Sequence, residues 1–418
     1  IDWLGLCLSG SSLLSLTSES FSPFSYAPVS PFDMDQFLLI FQTFHIPIRF
    51  SKFRVDESGG GLDTLGLVKK LDSPDGSSSI AVKQFLHPFR STHHAQHVYR
   101  ELKLLRSVNH ENIVRLIECY KTTDANGSDS IYHVTEYCGE PLSRKVSEGR
   151  YLMEQVKKWT REMLRALQHL HSIGVVHRNL HPNSMRINSS NKLSLVDLGK
   201  DWLDTRITCE SNSFPHRPIE QLVYWKESFQ AQGCWGSERR THSFMLREEL
   251  IERSRRNDAK VDIWSMTAIL CEMITGQALF NGDRVNTVLK RQIEYCGHID
   301  EHVFDSVMIY PSADIRFIEE YSRTFERKDF FHILHDTILP NRTIVPSELM
   351  DCENELRAFI DCTLLFDPAK RISADSALCH PFLLIPRPWQ KELPADEQEA
   401  QELLKRHIRE QIENAPYS

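Results

Sequence analysis

The sequence predicts an α+β chain in which a small β-rich lobe precedes a larger helical lobe. Three observations predict it. Short strand-like runs broken by turn residues fill 43–138. Helical spacing takes over after Gly139-Glu-Pro141. Val261–Ile274 is apolar almost all round, the pattern of a buried central helix. A chain of 418 residues can bury a core large enough for one bilobal domain with tails.

Residues 1–42 are rich in Ser, Phe and Pro and are expected to be poorly ordered. Phe50–Val55 alternates loosely before Ser58-Gly-Gly-Gly61, which reads as a glycine turn. A second run, Leu65–Leu71, ends at the turn signal Ser73-Pro-Asp-Gly76, and Ser79–Phe85 is a third strand. Together they predict an antiparallel meander. Ser91–Val108 then reads as a helix, and Ile113–Tyr120 and Ser130–Tyr137 as strands. A hinge is expected near Cys138–Pro141, dividing lobes at 43–138 and 139–383. Beyond it, Val156, Trp159, Met163, Leu167 and Leu170 recur at spacings of three and four, a stripe that ends at Gly174. Leu193–Val196 is a short strand, and helices follow over 261–274, 286–295, 353–365 and 374–379. In the extension 384–418, Leu404, Ile408 and Ile412 at four-residue spacing predict a helix packed back on the body.

Composition excludes several function classes. The 49 basic and 57 acidic residues leave a net charge of −8, which argues against a protein that coats nucleic acid. No run reaches the roughly 18 apolar residues of a membrane span. The ten cysteines include no Cys-x-x-Cys pair, so zinc-knuckle spacing is absent. Scattered single cysteines suit reduced thiols in the cytoplasm or nucleus. A monomer is expected.

Gly61-Leu-Asp-Thr-Leu-Gly66-Leu-Val68 follows a strand and can be read as a phosphate-covering loop in which Asp63 replaces a glycine. Asp63 stands either beside bound phosphates, which it would repel, or outward in the turn. Lys83 in Ile80-Ala-Val-Lys83 and Glu101 on the next helix are either a phosphate-gripping pair or two ordinary surface charges. Taken alone, these residues favour the second reading.

The motifs further along the chain, in their order, favour the first. His177-Arg-Asn-Leu-His-Pro-Asn-Ser184, Val196-Asp-Leu-Gly199, Arg217-Pro-Ile-Glu220, Asp262-Ile-Trp-Ser265 and Asp367-Pro-Ala-Lys-Arg371 succeed one another. This series resembles the eukaryotic protein kinase fold, bilobal with a β-rich N-lobe and a helical C-lobe. Tyr99–Leu105 with Asn109–Val114, the hinge Val134–Gly139 and the segment from Thr275 to about 349 are similar to mitogen-activated protein kinases, the stress-activated branch above all.

The resemblance implies ATP and Mg²⁺ as cofactors. Gly61, Gly66, Val68 and Ala81 would cover the nucleotide, and Lys83 with Glu101 would grip its phosphates. Thr135 would be the gatekeeper, with Glu136 and Cys138 in the hinge. Asp197 would hold the metal, and Leu198 replaces the Phe of that motif. The catalytic loop departs from the pattern. Asn179 replaces the base Asp, and a lost general base costs about 10²–10⁴-fold. His181 replaces Lys and is mostly neutral near pH 7. Ser184, a weak metal ligand, replaces Asn, with Asn183 beside it as a stand-in after a one-residue shift.

The phosphorylation lip falls on Thr208-Cys-Glu210, with Arg178 as a partner for phosphorylated Thr208. Glu210 either imitates a phosphotyrosine in part or belongs to a drifted loop. Glu220 and Arg371 would form a structural ion pair, and Asp262 would brace the catalytic loop. An insertion at about 224–258 is either a surface excursion or a docking element. The expected function is that of a mitogen-activated-protein-kinase-like pseudokinase or strongly impaired kinase, working through protein partners of a signalling cascade. The alternative is an active ATP-dependent Ser/Thr kinase.

Overall fold

The computed structural model describes residues 54–384 apart from 64–65, 77, 86–87, 90–91, 124–128, 199–210, 223–258, 283, 304–317, 319, 339–343 and 345. The segment 1–42, the tail helix, Thr208, Glu210 and the insertion lie outside the described residues.

The N-lobe is an antiparallel sheet of β1 (Arg54–Asp63), β2 (Gly66–Asp72), β3 (Ser79–Phe85), β4 (Leu116–Thr123) and β5 (Asp129–Glu136). The strand order is β1-β2-β3-β5-β4. The glycine triplet is not a turn, as its composition predicts; β1 runs through it. A register shift between Asp56 and Gly60 marks a bulge there, and bulges favour glycine. Across β1–β2, Gly61 pairs with Val68 and Asp63 with Gly66.

The two faces of the sheet bury different sets. Leu71, Ile80, Val82, Tyr132 and Val134 pack on one. On the other, Phe85 packs with Val98 and Leu102 of α1 (Thr92–Ser107). The strand after α1 begins later than its apolar pattern suggests, because Ile113 and Val114 are used elsewhere. Ile113 makes a parallel bridge to Leu195, Val114 N donates to Leu195 O at 2.9 Å, and Asn112 Nδ2 donates to Leu193 O at 2.8 Å.

Past the hinge, β6 (Glu140–Pro141), β7 (Met185–Ile187) and β8 (Leu193–Leu195) form a small sheet, and α2 (Leu142–Glu148) follows β6. The predicted stripe becomes α3 (Met153–Ser172), burying Val156, Trp159, Met163, Leu167 and Leu170. The all-apolar run becomes α4 (Ala259–Thr275), nearly every residue of which is buried. Its Trp264 stacks with Phe280 and with Phe366. Fully burying one such side chain contributes about 1.5–3 kcal/mol, so α3 and α4 anchor the C-lobe. Around them lie α5 (Val285–Cys296), α6 (Phe330–Thr337), α7 (Pro346–Met350), α8 (Glu353–Thr363) and α9 (Ala374–Leu378).

Asp329 caps α6, accepting from Phe331 N at 3.0 Å and pairing with His332 and Arg357. The Arg357 guanidinium holds its carboxyl down to about 2, against an ordinary 3.8. A carboxylate depressed on folding stabilises the fold above its unfolded value and loses that contribution as pH falls through its folded value. Asp329→Asn should therefore cost about 1 kcal/mol or less at pH 7, the scale of a partly exposed pair. The gap to wild type should close between about pH 4 and about pH 2, the unfolded and folded values of the carboxyl. Urea midpoints across that range check it, and a gap that stays constant would refute the linkage.

Candidate active site

The cleft between the lobes brings together residues far apart in the chain. Lys83 on β3 reaches Glu101 on α1, its Nζ donating to Oε1 at 2.8 Å and Oε2 at 2.9 Å. Both side chains are about 4% exposed, so this is a buried ion pair and not two surface charges. Val68 pairs with Lys83 across β2–β3, and Ala81 with Thr135 across β3–β5. Thr135 is buried.

The hinge turns at Gly139, which has a positive φ of 97°. Just before it, Glu136 is partly exposed and its Oε1 accepts from Arg115 N at 3.2 Å. What Glu136 offers the cleft is therefore backbone. Burial pushes the Cys138 thiol up to about 12. It is a packing group, not a nucleophile.

Asp262 organises the catalytic loop. Its carboxylate accepts from His177 N at 2.9 Å and Arg178 N at 2.8 Å, and meets His171 Nε2 at 2.9 Å. Arg178 is thereby held left-handed at φ 64°, and Asp197 stands likewise at 61°. Non-glycine residues keep such conformations only where surroundings enforce them, and functional sites are where this clusters. His177 Nε2 lies 3.2 Å from Val196 O, tying the loop to the segment that carries Asp197. Leu198 packs into the C-lobe core.

The substituted positions of the loop are engaged internally. Asn179 is buried, and its Oδ1 accepts from Arg217 Nη2 at 2.7 Å. The Ser184 hydroxyl donates to His181 O at 2.8 Å and accepts from His181 N at 3.1 Å, closing a turn over Pro182–Ser184. Asn183 does not replace it by a register shift. Its side chain is exposed and its Oδ1 accepts from the Ser143 hydroxyl. His181 is buried.

Glu220 and Arg371 pair as expected, Nη1 to Oε1 at 2.5 Å and Nη2 to Oε2 at 3.1 Å. The partner expected for Arg178, Thr208, lies outside the described residues. Gly61 and Gly66 lie on the β1–β2 hairpin. Sequence reasoning missed the roles of Arg217 and His133. Arg217 sits in the quoted Arg-Pro-Ile-Glu run, and its only signal was a cation beside a buried segment. His133, whose Nε2 lies 3.0 Å from Glu101 Oε1, is polar in strand phase with Ile131 and Thr135.

The family model of the protein kinase domain matches residues 59–383. The chain is 27% identical over 334 residues to mitogen-activated protein kinase pmk-3 of Caenorhabditis elegans, covering 77% of this chain and 60% of that protein, less than two thirds of its length. It is 27% identical over 329 residues to mitogen-activated protein kinase HOG1 of Scheffersomyces stipitis, covering 77% and 72%. Identity to HOG1 of Alternaria brassicicola is again 27%, over 345 residues, 82% of this chain and 81% of that protein. With its antiparallel N-lobe sheet, helical C-lobe and a family match over most of its length, this chain belongs to the protein kinase domain family.

Proposed function

We propose that this chain is a mitogen-activated-protein-kinase-like pseudokinase or strongly impaired kinase. It keeps part of the ATP grip and acts through protein partners of a signalling cascade, in the cytoplasm or nucleus. The observation that carries this reading is the internal engagement of the catalytic loop. Asn179 has no carboxylate with which to take a hydroxyl proton, and its one side-chain oxygen already accepts from Arg217. Ser184 spends its hydroxyl on His181 in both directions.

The residues present fit ATP in part. When bound, ATP supplies the γ-phosphoryl group and Mg²⁺ neutralises its charge. Lys83, held by Glu101, would bind the α/β-phosphates, while Val68, Ala81 and the hinge at Cys138 would receive the base. Asp197 would hold a metal ion. Ser184 fits poorly as its second protein ligand, because it is wholly buried and its donor and one of its two acceptor lone pairs are taken by His181.

A second reading, a slow Ser/Thr kinase, is favoured by the buried Lys83–Glu101 pair and the left-handed Asp197. Positioning and electrostatics supply most of phosphoryl transfer, so loss of the base need not abolish it. Phosphotransfer to a generic basic protein with Mg²⁺- or Mn²⁺-ATP separates the two. Wild type should not exceed Lys83→Met. Asn179→Asp alone should stay near that level. The triple variant Asn179→Asp, His181→Lys, Ser184→Asn should gain about 10²-fold or more, because base, cation and metal ligand act as a unit. Transfer by wild type clearly above Lys83→Met would exclude the pseudokinase and leave a slow kinase.

A further inference from the structure

The Lys83–Glu101 pair has a third member. Lys83 and His133 are direct partners across β3–β5, and Cys119 of β4 is opposite His133 on its other flank. Directly opposed residues of an antiparallel pair project to the same side. His133 therefore faces α1 alongside Lys83. Its surroundings there are apolar, with Phe85, Val98 and Leu102 buried and Cys119 and Ile131 against them. The His133 side chain is 8% exposed and its ring lies tilted on the Phe85 ring at 5.5 Å. An aliphatic side chain would suit such a place better than an imidazole.

Glu101 supplies the reason for a polar group. Both its oxygens accept from the Lys83 ammonium, and His133 Nε2 stands 3.0 Å from Oε1. Toward an acceptor, Nε2 must carry the hydrogen and donate. His133 Nδ1 meets no hydrogen-bond partner among the described residues, so Glu101 is what the ring is bonded to. Lys83 alone ties α1 to β3. With His133, the same carboxylate is tied to β3 and to β5, and α1 cannot swing away without breaking both.

We propose that His133 is a positioning residue, a second clasp on Glu101. It holds α1 on the sheet and keeps the Lys83 ammonium in place for a nucleoside triphosphate before the nucleotide arrives. The identity of the ligand rests on the function proposed above, whereas the clasp exists without any ligand. His133 touches neither phosphate nor reacting atoms; it acts through Glu101.

Amide hydrogen exchange across α1 in nucleotide-free protein tests the clasp directly, and binding of a fluorescent ATP analogue tests its consequence. His133→Leu should raise exchange in 97–107 about tenfold or more, as local opening becomes easier. It should weaken nucleotide binding about 3–10-fold, the scale of one ordinary hydrogen bond. His133→Gln, whose amide nitrogen can donate from a similar reach, should restore both to within about twofold of wild type. A merely structural role would not be rescued this way, because Gln packs no better than Leu against Phe85. Exchange in His133→Leu equal to wild type, or His133→Gln behaving as Leu does, would overturn the proposal. If His133→Leu does not fold, His133→Asn takes its place, since its shorter amide cannot reach Glu101, and the same outcomes apply. If wild type binds no nucleotide, the ATP reading fails while the exchange data still decide the clasp.

Discussion

Arg371→Ala is expected to destabilise the protein by about 3–5 kcal/mol, the cost of leaving a buried charge without its partner. The side chain of Arg371 is wholly buried, and Glu220, at 14% exposure, is nearly so. The guanidinium spans more than the ion pair. It donates to Leu365 O at 2.6 Å, Phe366 O at 3.2 Å and Lys260 O at 3.2 Å, and lies 5.0 Å over Trp264. One side chain thus ties the Pro218–Glu220 segment, the start of α4 and the loop after α8. Arg371→Lys should recover little, because an ammonium cannot match a planar fork of donors. Removing both charges together, as Glu220→Leu with Arg371→Met, should cost less than Arg371→Ala alone, since apolar replacement of a whole buried pair is often neutral. Denaturant midpoints order the three variants. An Arg371→Ala loss below about 1 kcal/mol would place the pair among those of surface strength.

Gly139→Ala is expected to cost about 3 kcal/mol or more, combining left-handed strain with overpacking. At φ 97° a β-carbon would stand 2.1 Å from Ile187 O and 2.6 Å from Asn188 Cα. Those are backbone atoms of β7 and the turn after it, which cannot rotate aside as a side chain would. Glu140 pairs with Ile187, so the hinge would have to leave the small sheet to make room. Gly76 is the control, since its φ of 70° carries similar strain but a β-carbon there would meet no described atom within 4 Å. A Gly139→Ala variant no less stable than Gly76→Ala would show that strain alone, and not the close approach to β7, sets the cost.

The lobes, the long helices and the charged pairs were legible in the sequence for identifiable reasons. A stripe such as Val156–Leu170 repeats over several turns, and Val261–Ile274 admits no reading but burial. Lys83 with Glu101, and Glu220 with Arg371, belong to motifs whose order fixes their places in the fold. Some short elements were not legible, although Leu193–Leu195 was. Strands β6 and β7 have two and three residues, too few for alternation to show. Helix α6, FFHILHDT, has two turns in which an apolar pattern can also be read as a strand. The glycine triplet misled because glycine serves bulges as well as turns. Within the site, the identities of Asn179, His181 and Ser184 could be read along the chain, but their engagements could not. Arg217 reaches Asn179 across 38 positions and His133 reaches Glu101 across 32, contacts that only the tertiary fold creates.

The bridge from Ile113 and Val114 to Leu195 has a mechanical consequence. The lobes are joined covalently at the hinge and again, on the loop after α1, by this short stretch of main-chain pairing. Two fixed points define an axle. Motion of one lobe against the other is then a rocking about the line through Gly139 and Leu195, not a free parting. Glu101 sits on α1, just upstream of the second bearing, so its travel in such a rock is short. The glycine hairpin of β1 and β2, at the far edge of the sheet, sweeps the widest arc.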